Sequence, residues 1–312
     1  MRVVAAEEID ALLDFPALIA ALRTAFAGGM TAPERHHHTL TRPGASNATH
    51  LLMPAWTIGA GEAYVGTKIV NVFPDNGAQG LPAVHGLYVL QSGLTGAPIA
   101  AMDGARLTLW RTAAASALAA TVLARADSER LLMVGSGALA PFLIRAHCAA
   151  RPIARVAVWS RRRASAEALA ASLRATGLDV AAVDDLSAAV SRADVISCAT
   201  LSQTPLIEGA WLRPGQHIDL VGAFTMSMRE ADDEALRRSR VFVDTEAALN
   251  EGGDVAGALQ SGAIVHEQVV ADLHALCTGA PGRLGPDEIT LFKSVGAAIE
   301  DLAAAILVMR AL

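Results

Sequence analysis

The chain has 312 residues, with 25 Lys and Arg against 31 Asp and Glu, a formal charge of −6. That balance argues against a general nucleic-acid binder, which needs a basic face to neutralise phosphates. Hydrophobic residues make up 53% and aromatics only 4%, so the core is aliphatic and rich in alanine, and the length suits two domains better than one.

In chain order, the first zone runs over residues 1–111. Ile9, Leu12, Leu13, Leu18, Ile19 and Leu22 recur at helical spacing and predict an amphipathic helix. THLLMPAW, AYVGTKIVNVF, VHGLYVLQS and PIAAMDG follow, separated by glycine and proline, as strands and sheet turns require. This zone reads as an α+β domain. The second zone, 112–288, alternates apolar strands (RLLMVGSG, RVAVWS, DVAAV, DVISCAT, QHIDLVGA, RVFVDT) with helices such as ASAEALAASLRATG and LSAAVSRA. Such repetition predicts an α/β fold with a Rossmann-type, doubly wound parallel sheet. The last zone, 289–312, reads as one greasy helix that must return to the first domain or enter a subunit interface. The early acids of MRVVAAEEIDALLDF do not suit a signal peptide, and no apolar run reaches spanning length unbroken. Cys148, Cys198 and Cys277 show no metal-ligand spacing. A cytoplasmic protein with buried thiols and no membrane partner is expected.

Gly135-Ser136-Gly137-Ala138-Leu139-Ala140 fits G-x-G-x-x-G/A between an apolar strand ending at Val134 and a helix. Gly135 permits a tight turn, Gly137 lets the backbone approach a pyrophosphate, and Ala140 allows close helix packing. Ser136, Ala138 and Leu139 then lie where unpaired helix N–H groups meet phosphate. Pro141 falls in the first turn, where its missing N–H has no intrahelical partner. The alternative is an ordinary glycine turn. The next strand ends in Trp159-Ser160-Arg161-Arg162-Arg163, where an NAD site usually carries an acid. Ser160, Arg161 and Arg162 match a 2′-phosphate instead. NADP(H) is therefore preferred, with NAD(H) possible; a solvated basic turn is the alternative.

Lys68 sits in the apolar alternating strand YVGTKIV, Arg111 between LTLW and TAAASALAA, and Arg35 before His36-His37-His38. None of these cations defines a site alone. With LLMPAW, GTKIVNVFPDN, LPAVHGLYVLQSGLTGAPIAAMDGARLT, LWRTAAASALAA, GSGALA, ADVISCAT and TLFKSVGAAIEDLA, the chain resembles the ornithine cyclodeaminase/mu-crystallin family along nearly its whole length. The resemblance implies a Rossmann domain joined to an α+β domain that binds substrate and forms a homodimer. It implies that Arg35, Lys68 and Arg111 hold a substrate carboxylate, with Arg42 as the competitor of Arg35. It also implies that Thr112, Thr200 and Ser294 face the cofactor.

Cyclodeaminases of that family carry an aspartate in a G-G/A-D pattern. Here the stretch is Gly222-Ala223-Phe224, and phenylalanine can neither move a proton nor steer an amine. The resemblance thus points to the ketimine reductase branch: NADPH-dependent reduction of 1-pyrroline-2-carboxylate or 1-piperideine-2-carboxylate to L-proline or L-pipecolate. A cyclodeaminase or amino-acid dehydrogenase of the same family, and a non-catalytic binder of NADPH or a small ligand, are the other readings. The carboxylate clamp would orient the carbon–nitrogen bond for hydride transfer, with Lys68 and His85 as catalytic candidates. His85 suits proton donation to the ring nitrogen, and equally suits a hydrogen-bonded place in a sheet. Asp103 reads as a turn residue and Asp301 as a structural acid. The adjacent histidines point to opposite strand faces, so no metal is expected.

Overall fold

The structure is a computed structural model that describes residues 1–58, 61 and 63–312. The chain divides into two compact units, Met1–Arg111 with Ala297–Leu312, and Thr112–Gly296.

In the first unit, β1 (Arg2–Val4) is followed by α1 (Ala6–Leu12) and α2 (Phe15–Ala27). The single N-terminal helix read from periodicity is therefore two. The break has a local cause: Asp14 caps the second helix by accepting from the Ala17 N–H at 2.8 Å, and Pro16 occupies its first turn, both signals of a new start. Strands β2 (Met30–Thr31), β3 (His36–Leu40), β4 (Ala48–Thr57), β5 (Tyr64–Val72), β6 (Val84–Ser92) and β7 (Pro98–Asp103) complete the sheet. Its order is β1-β7-β6-β5-β4-β2, with β3 also on β4. All pairs are antiparallel except β1 with β7.

Register matters here. Met53, Lys68, Tyr88 and Met102 form one row across β4, β5, β6 and β7, and all four are buried. They share the face covered by α10 (Ala298–Ala311), which packs on β4, β5 and α2. A second row, His38, His50, Asn71 and His85, is an odd step along β5 from Lys68 and so lies on the outer face.

Helix α3 (Gly104–Leu123) carries the chain into the second unit. There β8 (Arg130–Val134), α4 (Ala140–Ala150), β9 (Arg155–Trp159), α5 (Arg163–Arg174), β10 (Val180–Ala182), α6 (Leu186–Arg192) and β11 (Val195–Cys198) form the first half of the winding. Next come β12 (His217–Leu220), α7 (Asp233–Arg237), β13 (Arg240–Val243), α8 (Val255–Gln260), β14 (Val269–Asp272), α9 (Leu273–Cys277) and β15 (Thr290–Lys293). The sheet order is β10-β9-β8-β11-β12-β15-β13-β14, parallel throughout. Its order reverses between β8 and β11, the point where such sheets bind ligands at their carboxyl ends. Leu132, Val134, Ile196, Cys198, Ile218, Leu220, Val241 and Leu291 belong to the core. Ser197, His217 and Asp219 alternate with them in β11 and β12 and are buried too, because both faces of the sheet are covered.

The helix expected over 289–312 begins only at Ala298. Residues Thr290–Lys293 are instead strand β15, between β12 and β13. A segment buried at every position carries no periodicity to tell strand from helix, and Gly296, at φ +83°, turns the chain between the two elements. Cys198 is buried, whereas Cys148 and Cys277 are half-buried; none of the three is in a disulfide. Among the described residues no helix is long and apolar enough to cross a membrane.

Candidate active site

Strand β5, helix α3 and the first turn of α10 bring four charges together inside the first unit. The Lys68 ammonium donates to Asp301 Oδ1 at 3.0 Å and to Thr108 Oγ1 at 3.3 Å. It also lies 2.8 Å from Asp301 Oδ2, although the angle there does not make a hydrogen bond. Arg111 donates through Nε to Asp301 Oδ1 at 3.0 Å and through Nη1 to Glu300 Oε2 at 2.7 Å. Lys68 is 2% and Arg111 5% exposed, and both acids are fully buried. Charges so deep persist only when paired. Burial and the nearby Arg111 guanidinium lower the Lys68 ammonium from its usual 10.5 to about 8, against the pull of Asp301 and Glu300. Glu300 also accepts from the Ala297 N–H at 3.1 Å, which closes the start of α10.

Tyr88 projects into the same region. A Cβ on Gly66 would collide with its hydroxyl, so glycine leaves that oxygen its room. Among the described residues the hydroxyl has no hydrogen-bond partner. Burial, and then the charge of Asp301, push its proton affinity well above the usual tyrosine range.

The other cations differ. Arg35 is half-buried just before β3. Arg42 stacks on the Phe73 ring at 5.0 Å, donates to the Ser46 carbonyl at 3.3 Å and lies 3.5 Å from Asp75. Arg42 is thus employed in holding the turn after β5. His85 is exposed on the outer face, away from Lys68 and Tyr88, so the sheet does not bring it to the cluster. Asp103 accepts from the Arg106 N–H at 2.7 Å, a local bond of the turn-and-cap kind. His36, His37 and His38 form strand β3. Among the described residues no group of His, Cys, Asp and Glu could hold a metal.

In the second unit the glycine turn has the geometry its residues call for. Gly135 takes φ +116°, donates to the Trp159 carbonyl at 2.9 Å, and would drive a Cβ to 2.6 Å from the Ala199 carbonyl oxygen. A Cβ on Gly137 would meet nothing within 4 Å, so backbone is open there to a large anion. Gly137 and Ala138 are exposed, Ser136 and Leu139 half-buried. Pro141 lies in the first turn of α4, where the Ala140 N–H donates to the Gly137 carbonyl and the Phe142 N–H to the Leu139 carbonyl, both at 3.0 Å. These residues fit a dinucleotide pyrophosphate.

Ser136 Oγ donates to Ser160 Oγ at 2.9 Å, which ties the turn to the end of β9. Arg161 and Arg162 are exposed beside it, while Arg163 pairs with Glu167 and Asp184. Thr112 is buried in α3. Thr200, just past β11, gives its N–H and hydroxyl to Glu230. Ser294 is buried and donates to Asp244 Oδ2 at 3.0 Å.

Sequence reading missed Glu300 as a partner, undervalued Asp301, and did not mark the buried charges Glu230, Asp254 and Lys293. A signal existed for the first two: adjacent acids at the head of a helix that is otherwise almost wholly apolar. The family model for the ornithine cyclodeaminase/mu-crystallin family matches residues 2–312. The Delta(1)-pyrroline-2-carboxylate reductase of Paracoccus denitrificans is 43% identical over 278 residues, 86% of this chain and 87% of that protein. The structure of Thermococcus litoralis Delta(1)-pyrroline-2-carboxylate reductase in complex with NADH and L-proline superposes with a TM-score of 0.92 at 32% identity, covering 100% of this chain and 97% of that one. An archaeal alanine dehydrogenase dimer with bound NAD gives 0.90 at 31%, covering 100% and 95%. Glycine turn, doubly wound sheet and relatives together define an NAD(P)H-dependent oxidoreductase. The chain belongs to the ornithine cyclodeaminase/mu-crystallin family.

Proposed function

We propose that this enzyme reduces a small cyclic ketimine carboxylate, 1-pyrroline-2-carboxylate or 1-piperideine-2-carboxylate, to L-proline or L-pipecolate with NADPH. The observation that carries the reading is the convergence of Lys68 and Arg111 on Asp301. Two cations held in fixed orientation make a docking point for an organic acid. Glu300 and Asp301 act as orienting partners. Arg35, half-buried just before β3, is assigned as the third cation of the carboxylate clamp.

A neutral imine accepts hydride poorly, so its nitrogen needs a proton. Lys68 is the group that supports this step, since an ammonium lowered to about 8 is mostly protonated near neutral pH yet gives up its proton readily. His85 loses that role on geometry. When bound, the reduced nicotinamide supplies the hydride. Ser136, Gly137, Ala138 and Leu139 are assigned to its pyrophosphate, and Ser160, Arg161 and Arg162 to a 2′-phosphate, the basis for NADPH over NADH. Phe224, 44% exposed in the loop after β12, stands where the family's cyclodeaminases carry an aspartate, which argues against release of ammonia from L-ornithine.

We also propose a homodimer through the outer face of the seven-stranded sheet, where Ile69, Leu87 and Val89 alternate away from the buried row. A dimeric structural relative supports it. Leu87, 45% exposed, is the residue to change: Leu87→Asp is expected to halve the mass measured by light scattering, and an unaltered mass would remove this face. We place the enzyme in the cytoplasm, in keeping with three cysteines outside any disulfide.

One observation favours a second reading. Glu300 and Asp301 already neutralise Lys68 and Arg111, as a purely structural cluster would, and a non-catalytic dinucleotide binder would need no more. NADPH oxidation measured on five- and six-membered ketimines beside L-ornithine separates the readings. Turnover of a ketimine to the cyclic amino acid supports the reductase. Saturable NADPH binding with no turnover on either ring would establish the binder.

A further inference from the structure

Glu230 is fully buried in the second unit. Its carboxylate accepts three hydrogen bonds: from Thr200 N–H at 2.6 Å, Thr200 Oγ1 at 2.8 Å and Gly222 N–H at 2.7 Å. Thr200 lies just beyond β11 and Gly222 just beyond β12, so one side chain joins the carboxyl ends of two neighbouring strands. The space between them is full, for a Cβ on Gly222 would strike the Thr200 backbone and the Glu230 carboxylate. The same segment is the wall of the glycine turn: a Cβ on Gly135 would meet Ala199 O and Thr200 Cγ2 at 2.6 and 3.3 Å. Behind Glu230, Asp254 Oδ1 accepts from the Glu230 and Ala231 N–H groups at 2.7 and 3.2 Å, and Lys293 donates to Asp254 Oδ2 at 3.1 Å.

A buried carboxylate is costly to retain in a sheet core that apolar residues could fill. Here it sits at the carboxyl ends of β11 and β12, beside the β8–β11 reversal where doubly wound sheets bind their ligands. We propose that Glu230 is a positioning residue for the dinucleotide: it fixes the Ala199–Thr200 backbone against which the Gly135 turn packs, and so sets the shape of the pyrophosphate cradle. It touches no reacting atom. The inference rests on the dinucleotide-binding reading of the glycine turn and does not depend on which substrate is reduced.

Protonation probes the arrangement, because a carboxylic acid can no longer accept from both strand ends. Burial pushes Glu230 up to about 7; Lys293 opposes this, Asp254 adds to it, and the Thr200 N–H and hydroxyl oppose it. NADH, which lacks a titrating 2′-phosphate, is the probe, and its fluorescence on binding reports affinity without turnover.

The wild-type protein is expected to bind NADH several-fold more weakly at pH 6 than at pH 8. Glu230→Gln, which keeps the shape but presents an N–H group to one of the donors, is expected to weaken binding at pH 8 by about tenfold and to flatten the pH dependence. Glu230→Asp is expected to restore part of the loss. Equal wild-type affinities at the two pH values would overturn the proposal even if the glutamine variant does not fold. So would a folded Glu230→Gln protein with wild-type affinity. Wild-type protein that binds no dinucleotide would overturn the reading beneath as well. Binding of NADH that depends on Glu230, with no ketimine reduced, would sink the proposed reaction and leave this inference standing.

Discussion

Lys68 and Arg111 share an acceptor: Asp301 Oδ1 lies 3.0 Å from the Lys68 ammonium nitrogen and 3.0 Å from Arg111 Nε. Two like charges are held side by side in a buried place because one carboxylate lies between them, with Glu300 completing the balance on Arg111. Removing that carboxylate leaves repulsion and desolvation unopposed. Asp301→Asn is expected to cost about 3–5 kcal/mol of stability, the usual effect of breaking a buried ion pair. Urea unfolding followed by circular dichroism measures it, and a midpoint within error of wild type would show that the cluster is not held by this residue.

Lys68 leads to a pH dependence with a definite sign. If its ammonium is the proton donor, kcat/KM for ketimine reduction is expected to be level below about 8 and to fall as pH rises through that value. For folding, the native value lies below the ordinary 10.5. Between these limits the unfolded chain holds a proton that the native protein has lost, so this group makes stability rise with pH across that window. Lys68→Ala is expected to lower kcat/KM by about 10²–10⁴-fold while NADPH affinity stays within about twofold. Full turnover in that variant would take Lys68 out of the reaction.

The two glycines of the turn should both matter for binding but differ in stability. Gly135→Ala places a Cβ against the Ala199 carbonyl in a left-handed conformation, so both the melting temperature and dinucleotide binding are expected to fall. Gly137→Val enters open space. Its melting temperature is expected to hold while NADPH binding drops by at least about tenfold, because the side chain fills the pyrophosphate's place. If Gly137→Val binds NADPH normally, the pyrophosphate lies elsewhere.

Arg161 tests cofactor choice. Arg161→Asp replaces an exposed guanidinium with a charge that repels a phosphate. The ratio of kcat/KM for NADPH over NADH is expected to fall by about ten- to a hundredfold, the range of one or two charge-assisted bonds. An unaltered ratio would reduce the Ser160-Arg161-Arg162 run to a solvated turn.

His85 tests the sheet register. Because it faces away from Lys68, His85→Ala is expected to keep kcat/KM within about twofold. A loss comparable to that of Lys68→Ala would mean that the outer face takes part in the chemistry.

Local patterns carried much of this protein in plain text. Strand alternation around Lys68, a glycine turn between an apolar strand and a helix, and arginines at the end of the next strand are short-range features. Their geometry follows from a few consecutive residues, and the sequence by itself determined them. Asp301, by contrast, lies 190 residues from Arg111 and 233 from Lys68, and nothing in a linear pattern says that the first turn of α10 meets β5. Thr290–Lys293 became a central strand only because β12 and β13 leave a place between them, since a short segment buried on every side carries no pattern that separates helix from strand. His85 suits acid–base chemistry by type, but its pairing with Asn71 decided which way it faces. Glu230 looks like an ordinary surface acid in its sequence context, and it is buried because two strand ends present N–H groups that only an acceptor between them can satisfy. Identity and spacing set what each residue can do, and the tertiary contacts decided its partners, because charge and hydrogen-bond balance in a buried site is settled among groups the chain brings together from afar.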